Sequence, residues 1–210
     1  MDNEQNIIPA EETPETKKTR KSSSFWFDIL EMFAWSLFAV FLLFTFAVRL
    51  CRVDGSSMEN TLYEGENLLL YSVGYTPEQD DIIVFHLTNP DADLEKTLVK
   101  RVIATGGQSL RIDFKTGEIL VDGVKYEDSH AVLKNSEDMI VDQYNLNGAE
   151  HHYDPITRVM SLTVPKDHLF VMGDNRNWSK DSRDLDIMFV DERSVLGKVI
   201  LRLSPFTLFP

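Results

Sequence analysis

Ser57 and Lys100 are the two residues whose types and settings could do chemistry together. Ser57 lies in Val53-Asp54-Gly55-Ser56-Ser57-Met58-Glu59-Asn60-Thr61-Leu62, a glycine-marked bend that follows directly on the longest apolar run of the chain. A free serine hydroxyl is a poor nucleophile and needs a nearby base that can take its proton at neutral pH. Histidine is the usual base, yet none of the five histidines sits in a convincing setting. His86 and His168 occupy strand positions, where packing is the default, and a Ser57–histidine–aspartate triad stays open on sequence alone. Lysine is the other option, provided burial lowers its pKa until the neutral amine is populated. Lys100 lies within Leu98-Val99-Lys100-Arg101-Val102-Ile103, a β-branched run that predicts a half-buried strand.

Alone, Gly55-Ser56-Ser57 is a common turn and Lys100 a surface lysine whose stem packs on apolar neighbours. A third stretch changes the balance. Gly173-Asp174-Asn175-Arg176-Asn177-Trp178-Ser179-Lys180-Asp181-Ser182-Arg183 is dense in hydrogen-bonding groups and follows the apolar His168-Leu169-Phe170-Val171-Met172. An ordinary polar loop with an Asx turn or helix cap does not need two Asp and two Arg so closely spaced. His151-His152-Tyr153-Asp154 could chelate a metal, but adjacent histidines in a polar stretch are usually solvated, and no metal site is assigned.

The elements that must position these residues are mostly β. Leu68 to Val73, Ile82 to Phe85, Leu98 to Ala104 and Val195 to Leu203 are short apolar runs bounded by turn residues. Asp122-Gly123 between Ile119-Leu120-Val121 and Val124-Lys125-Tyr126 predicts a hairpin. Continuous apolar strands flanking alternating ones indicate a coiled antiparallel sheet or barrel-like fold with a buried centre. Residues 127–158 are polar and poorly patterned over most of their length and read as an excursion or flap. The domain is therefore 53–210, preceded by something quite different.

Phe33 to Val48 contains no charge, and Ile29 to Val48 reaches the roughly 20 residues that cross about 30 Å of hydrocarbon. Sixteen uncharged residues leave no polar face for a buried globular helix. A cleaved leader needs a small residue at the exit, where Arg49 and Arg52 stand instead, so residues 25–52 read as an uncleaved transmembrane helix with its flanks. Residues 1–24 read as a disordered tail, acidic and then basic. Lys17, Lys18, Arg20 and Lys21 outnumber Arg49 and Arg52, which puts the tail in the cytoplasm and the β domain outside a plasma membrane spanned once. The formal charge of −13, with scattered basic residues, argues against a nucleic-acid binder. The single cysteine, Cys51, excludes an internal disulfide, and nothing in the sequence speaks to oligomeric state.

Taken together, the three stretches resemble the bacterial type I signal peptidases, membrane-bound serine proteases that remove signal peptides. Ser57-Met58-Glu59-Asn60-Thr61-Leu62 resembles that family's S-M-x-P-T-L box, and Lys100-Arg101 its K-R box. Residues 173–183 match G-D-N-R-x-x-S-x-D-S-R at every specified position. The resemblance runs from about Phe25 to Phe206 and weakens over 127–158. It implies that Ser57 is the nucleophile, Lys100 the general base, and Ser179 a hydrogen-bonding partner that holds the lysine amine. It further implies an ion pair of Asp181 with Arg183 bracing the loop, a pair of Asp174 with Arg101, and an oxyanion met first by the Ser57 backbone N–H.

The chain departs from the family at several points. Asn60 stands where proline is usual, and Gly55 where some relatives carry a serine that donates to the oxyanion. Ala104-Thr105-Gly106-Gly107-Gln108 replaces G-x-P-G-D, and two residues are added between Arg183 and Val190. These last changes bear on the substrate pocket more than on the chemistry. The activity implied is cleavage of signal peptides from exported precursors, with the substrate extended on a sheet edge and no cofactor required. A catalytically silent, membrane-tethered β module that binds a partner, and a related Ser/Lys peptidase with another substrate, are the other readings the sequence leaves open.

Overall fold

The computed structural model describes residues 21–46, 48–89, 94–127, 129–131, 151–184 and 186–210. The chain divides into two compact units, residues 1–41 and 42–210. The first is carried by one helix, α1 (Lys21–Phe46), of 26 residues. Phe25–Leu42 within it has a mean hydropathy of 1.7, and the helix is long and apolar enough to cross a membrane. Its apolar side chains point in all directions, with Trp26, Phe33, Trp35, Phe41 and Phe44 all exposed. Helix α1 begins earlier than the sequence reading places it, at Lys21 rather than after Ser24, because each residue added to an existing helix gains a backbone hydrogen bond. The expected tail up to Arg20 lies outside the described residues.

The second unit is built of antiparallel strands: β1 (Val48–Arg52), β2 (Asn67–Tyr71), β3 (Ile82–Asn89), β4 (Leu94–Thr105), β5 (Ser109–Asp113), β6 (Ile119–Val121), β7 (Val124–Lys125), β8 (His151–Asp154), β9 (Val159–Thr163), β10 (His168–Met172), β11 (Val190–Asp191), β12 (Val195–Leu203) and β13 (Phe206–Leu208). The larger sheet runs β1-β2-β12-β3-β4-β10-β11 with β13 paired to β12; the smaller runs β7-β6-β5-β9-β8. Strand β1 falls in the stretch read as the flank of the membrane span, and two arginines in five residues hid it. Charged side chains are well tolerated on an edge strand, which is where β1 lies.

Alternation along the strands buries both faces of the larger sheet. Ile82 and Val84 join Met58, Leu62, Leu68, Leu70 and Val199 in one cluster. Ile83 and Phe85 join Val102, Leu169 and Val171 in a second on the other face. A third cluster joins the sheets, with Ile103, Phe170 and Met172 packed among Leu110, Ile112, Ile119 and Met160. Adjacent residues of β3 therefore serve different cores, which is why its sequence is continuously apolar.

Asp122 (φ 50°) and Gly123 (φ 77°) make the hairpin turn between β6 and β7 in the left-handed region at both central positions. The Asp122 carboxylate also accepts from Ser109 N at 2.8 Å. Most of the expected excursion, residues 128 and 132–150, lies outside the described residues. Its C-terminal part is sheet: β8 pairs with β9 in register His151↔Leu162 to Asp154↔Val159. With Tyr153 the buried one among the described side chains of β8, the strand carries too little apolar pattern to read as one.

Candidate active site

Ser57 sits in the loop from Val53 to Glu66, which links β1 and β2. The loop is closed at its base, where Val53 N donates to Glu66 O (2.8 Å) and Gly65 N to Val53 O (2.9 Å). Gly55 at φ 84° makes the bend, a conformation that costs glycine nothing. Met58 and Leu62 are fully buried and pin the loop to the core, while Leu62 N and Thr61 N both donate to Met58 O. The half-buried Ser57 is thus held between two apolar anchors and the Gly55 bend. Its own N–H donates to no acceptor among the described residues.

Lys100 and Arg101 stand side by side on β4 and so point to opposite faces. Across the ladder Lys100 pairs with Ile83 and Arg101 with Ile82, each a member of a different core cluster. Lys100 shares its face with Leu98 and Val102 and is 2% exposed. Its Nζ lies 2.7 Å from Ser57 Oγ and donates to Val99 O at 3.0 Å. Burial pushes the amine down to about 8; Asp181 pulls it up, Arg183 pushes it down, and Asp174 pulls it up. A lysine that releases its proton near neutral pH is thus in contact with a hydroxyl. The cleft at this point is about 90 Å³, walled by Cys51, Val53, Met58, Leu98 and Val99.

The loop that follows β10 supplies the polar frame. Asp174, wholly buried, takes two hydrogen bonds from Arg101, Nε to Oδ1 at 2.9 Å and Nη2 to Oδ2 at 2.8 Å, and Thr61 Oγ1 donates to its Oδ2. Asp181, also wholly buried, receives Arg183 Nε and Nη2, each at 2.8 Å, and Gly173 N at 2.9 Å. Burial alone would raise Asp181, but the charge and hydrogen bonds of Arg183 outweigh it and hold the carboxyl below its ordinary value. Both pairs have the bidentate geometry that compensates desolvation best.

The hydrogen bond expected between Ser179 and the Lys100 amine is not made in this structure. The Ser179 hydroxyl is buried and meets hydrogen-bond geometry with no partner, Lys100 included, although it stands near enough to Asp181 to help lower that carboxyl. It abuts Gly173, where an added Cβ would fall 2.2 Å from Ser179 Oγ and 2.4 Å from Ser57 O. Two residues that sequence reasoning left without a role bind the nucleophile loop directly. Asn175 donates from its backbone N to Ser57 O (3.1 Å) and from Nδ2 to Ser56 O (3.0 Å), and Thr61 ties the loop to Asp174. Their only signal was the polar density of their motifs. Neither His86, which faces Thr97 and Glu95, nor His168, bonded to Lys166 O, lines the Ser57 cleft.

The sequence profile of the family described as "Signal peptidase, peptidase S26" matches residues 26–204. Signal peptidase IB of Staphylococcus aureus (strain COL) is 31% identical over 176 residues, covering 81% of this chain and 85% of that protein. The probable signal peptidase I-1 of Synechocystis is 33% identical over 162 residues, covering 73% of this chain and 69% of that one. A crystal structure of a signal peptidase I from Enterococcus faecalis V583 shares 29% identity over 60% of this chain and 97% of its own, with a TM-score of 0.41. With a profile match running from the start of the apolar helix to the end of β12, the chain belongs to the signal peptidase family and is a serine endopeptidase of the type I class.

Proposed function

We propose that Ser57 is the nucleophile and Lys100 the general base of this peptidase, acting on signal peptides of secreted precursors at the outer face of a plasma membrane. The observation that carries the assignment is the 2.7 Å approach of a buried, readily neutralised amine to a loop hydroxyl. Neutral Lys100 takes the Ser57 proton as Oγ attacks the scissile carbonyl carbon. The oxyanion that forms is met by the free Ser57 N–H, with Gly55 offering no side chain to assist. Protonated Lys100 then gives its proton to the departing amine, leaving an acyl ester on Ser57. Water adds to that ester as Lys100 takes its proton, and return of the proton to Oγ frees the new carboxyl terminus. These steps use only the two side chains, backbone and water.

Arg101–Asp174 and Arg183–Asp181 brace the frame, and Ser179, with its hydroxyl uncommitted, is the group able to receive the amine when it turns from Ser57. Residues 25–52 anchor the chain, residues 1–24 stay in the cytoplasm, and residues 53–210 form the external catalytic domain. A lipid bilayer is then the second partner.

Ser57→Ala and Lys100→Arg, the latter permanently protonated, should each lower the rate of precursor cleavage in detergent by a factor on the order of 10⁴. Appreciable cleavage by either variant rules the dyad out. A panel of precursors with the cut sites read by mass spectrometry separates signal-peptide cleavage from a related Ser/Lys peptidase that takes another substrate.

A further inference from the structure

Asp80 adopts φ 79°, a left-handed conformation that glycine takes freely and other residues seldom do. It stands just upstream of β3, fastened to β4 by Asp80 N to Val102 O (2.9 Å) and Val102 N to Asp81 O (2.9 Å). The unusual backbone turns its carbonyl to Arg101 Nη1, which donates to it at 2.8 Å. Its carboxylate accepts from the hydroxyl of Tyr126 and lies 3.9 Å from the same Nη1. Tyr126 is buried in the core cluster that contains the smaller sheet, whereas Arg101 belongs to the larger one.

A continuous polar chain results. It runs from Tyr126 through Asp80 to Arg101, from Arg101 to Asp174, and from Asp174 to Thr61 in the loop that holds Ser57. All three guanidinium nitrogens of Arg101 donate, Nε and Nη2 to Asp174 and Nη1 to the Asp80 carbonyl, so the carboxylate of Asp174 has one position to offer Thr61.

We infer that Asp80, clamped by Tyr126, is a positioning residue for catalysis, fixing Arg101 and through it the Asp174–Thr61 contact that sets the Ser57 loop against Lys100. The inference rests on the dyad reading for its effect on rate and not for its effect on the loop. A residue kept only for folding would be better as glycine at φ 79°.

Three variants of the full-length chain test it: Asp80→Gly, Tyr126→Phe and Asp80→Asn. Glycine relieves the backbone while deleting the carboxylate, so its melting temperature should stay within about 3 °C of the parent. In Asp80→Gly and in Tyr126→Phe, kcat for a precursor should fall about tenfold with KM unchanged. Asp80→Asn, which tolerates the left-handed backbone and keeps an acceptor for Tyr126, should recover most of the rate. Tyr126→Phe added to Asp80→Gly should cost less than the sum of the two separate losses, since both remove the Tyr126–Asp80 contact. Hydrogen exchange gives a readout without substrate: the Thr61, Leu62 and Asn175 amides should exchange about tenfold faster in Asp80→Gly and at the parental rate in Asp80→Asn.

Unchanged kcat, additive losses, a change confined to KM, or unaltered exchange would each overturn the proposal. If the parent chain itself cleaves no precursor, the dyad reading fails, and the exchange rates still decide whether Asp80 sets the loop.

Discussion

At the scale of single residues the proposed chemistry turns on whether Lys100 holds its proton. Burial pushes the amine down to about 8 from its ordinary 10.5. Below pH 8 the folded lysine is charged and cannot accept the Ser57 proton, so kcat/KM should rise about tenfold per unit up to pH 8 and level off above it. The sign for stability follows from the same shift. Between about pH 8 and 10.5 the unfolded lysine binds a proton that the folded one has lost, so the contribution of Lys100 to stability rises with pH across that window. A kcat/KM profile flat from pH 6 to 9 would show that no such lysine limits the reaction. The residue types of the site were legible, because a lysine in a β-branched run and paired Asp and Arg in one short loop are unusual company. The partner of each was less so. Asn175 bonds the backbone of Ser56 from 119 residues away, and no local pattern announces a hydrogen bond to another loop's main chain.

At the scale of elements, strand β4 does two jobs because neighbouring side chains face opposite ways. Lys100 is buried among apolar groups on one face and Arg101 is neutralised on the other, so a one-residue slip of β4 would exchange the proposed base for a guanidinium. Short apolar runs bounded by turn residues made β3, β4 and β12 readable from sequence. Their order was not, because β12 inserts between β2 and β3 and pairs with residues more than a hundred positions earlier. The loop after β10 meets the Ser57 loop at Gly173, where there is no room for a methyl group. The contact is with Ser57 O as well as with Ser179, so the obstruction includes backbone that no rotamer change can clear. Gly173→Ala should therefore push the two loops apart and lower kcat by about a hundredfold, since misplacement of reacting groups by about 1 Å has that scale of effect. Kinetics of the purified variant against its melting temperature would check this. A folded Gly173→Ala chain with parental kcat would mean that the loops are free to separate without harm.

At the scale of the whole molecule, an all-round apolar helix and a two-sheet β unit answer to different solvents. Trp26, Phe33, Trp35, Phe41 and Phe44 on α1 are exposed, which carries no hydrophobic cost in the proposed bilayer, whereas the β unit buries its apolar residues in three clusters of its own. That division was plain in composition, because sixteen uncharged residues are followed by some 160 in which charges recur every few positions. The proposed orientation rests on charge. Lys17, Lys18, Arg20 and Lys21 lie before the apolar run against Arg49 and Arg52 after it, and positive charge is retained on the cytoplasmic side. In bacterial cells stripped of their outer layers, protease added outside should destroy an epitope fused after Pro210 and spare one fused before Met1. Exchanging Lys17, Lys18, Arg20 and Lys21 for glutamine leaves the excess with Arg49 and Arg52, and a measurable fraction of chains should then insert the other way round, with protected C-terminal epitopes. If the unaltered chain protects its C-terminal epitope, the β unit lies on the cytoplasmic side, where Ser57 would meet no translocated precursor.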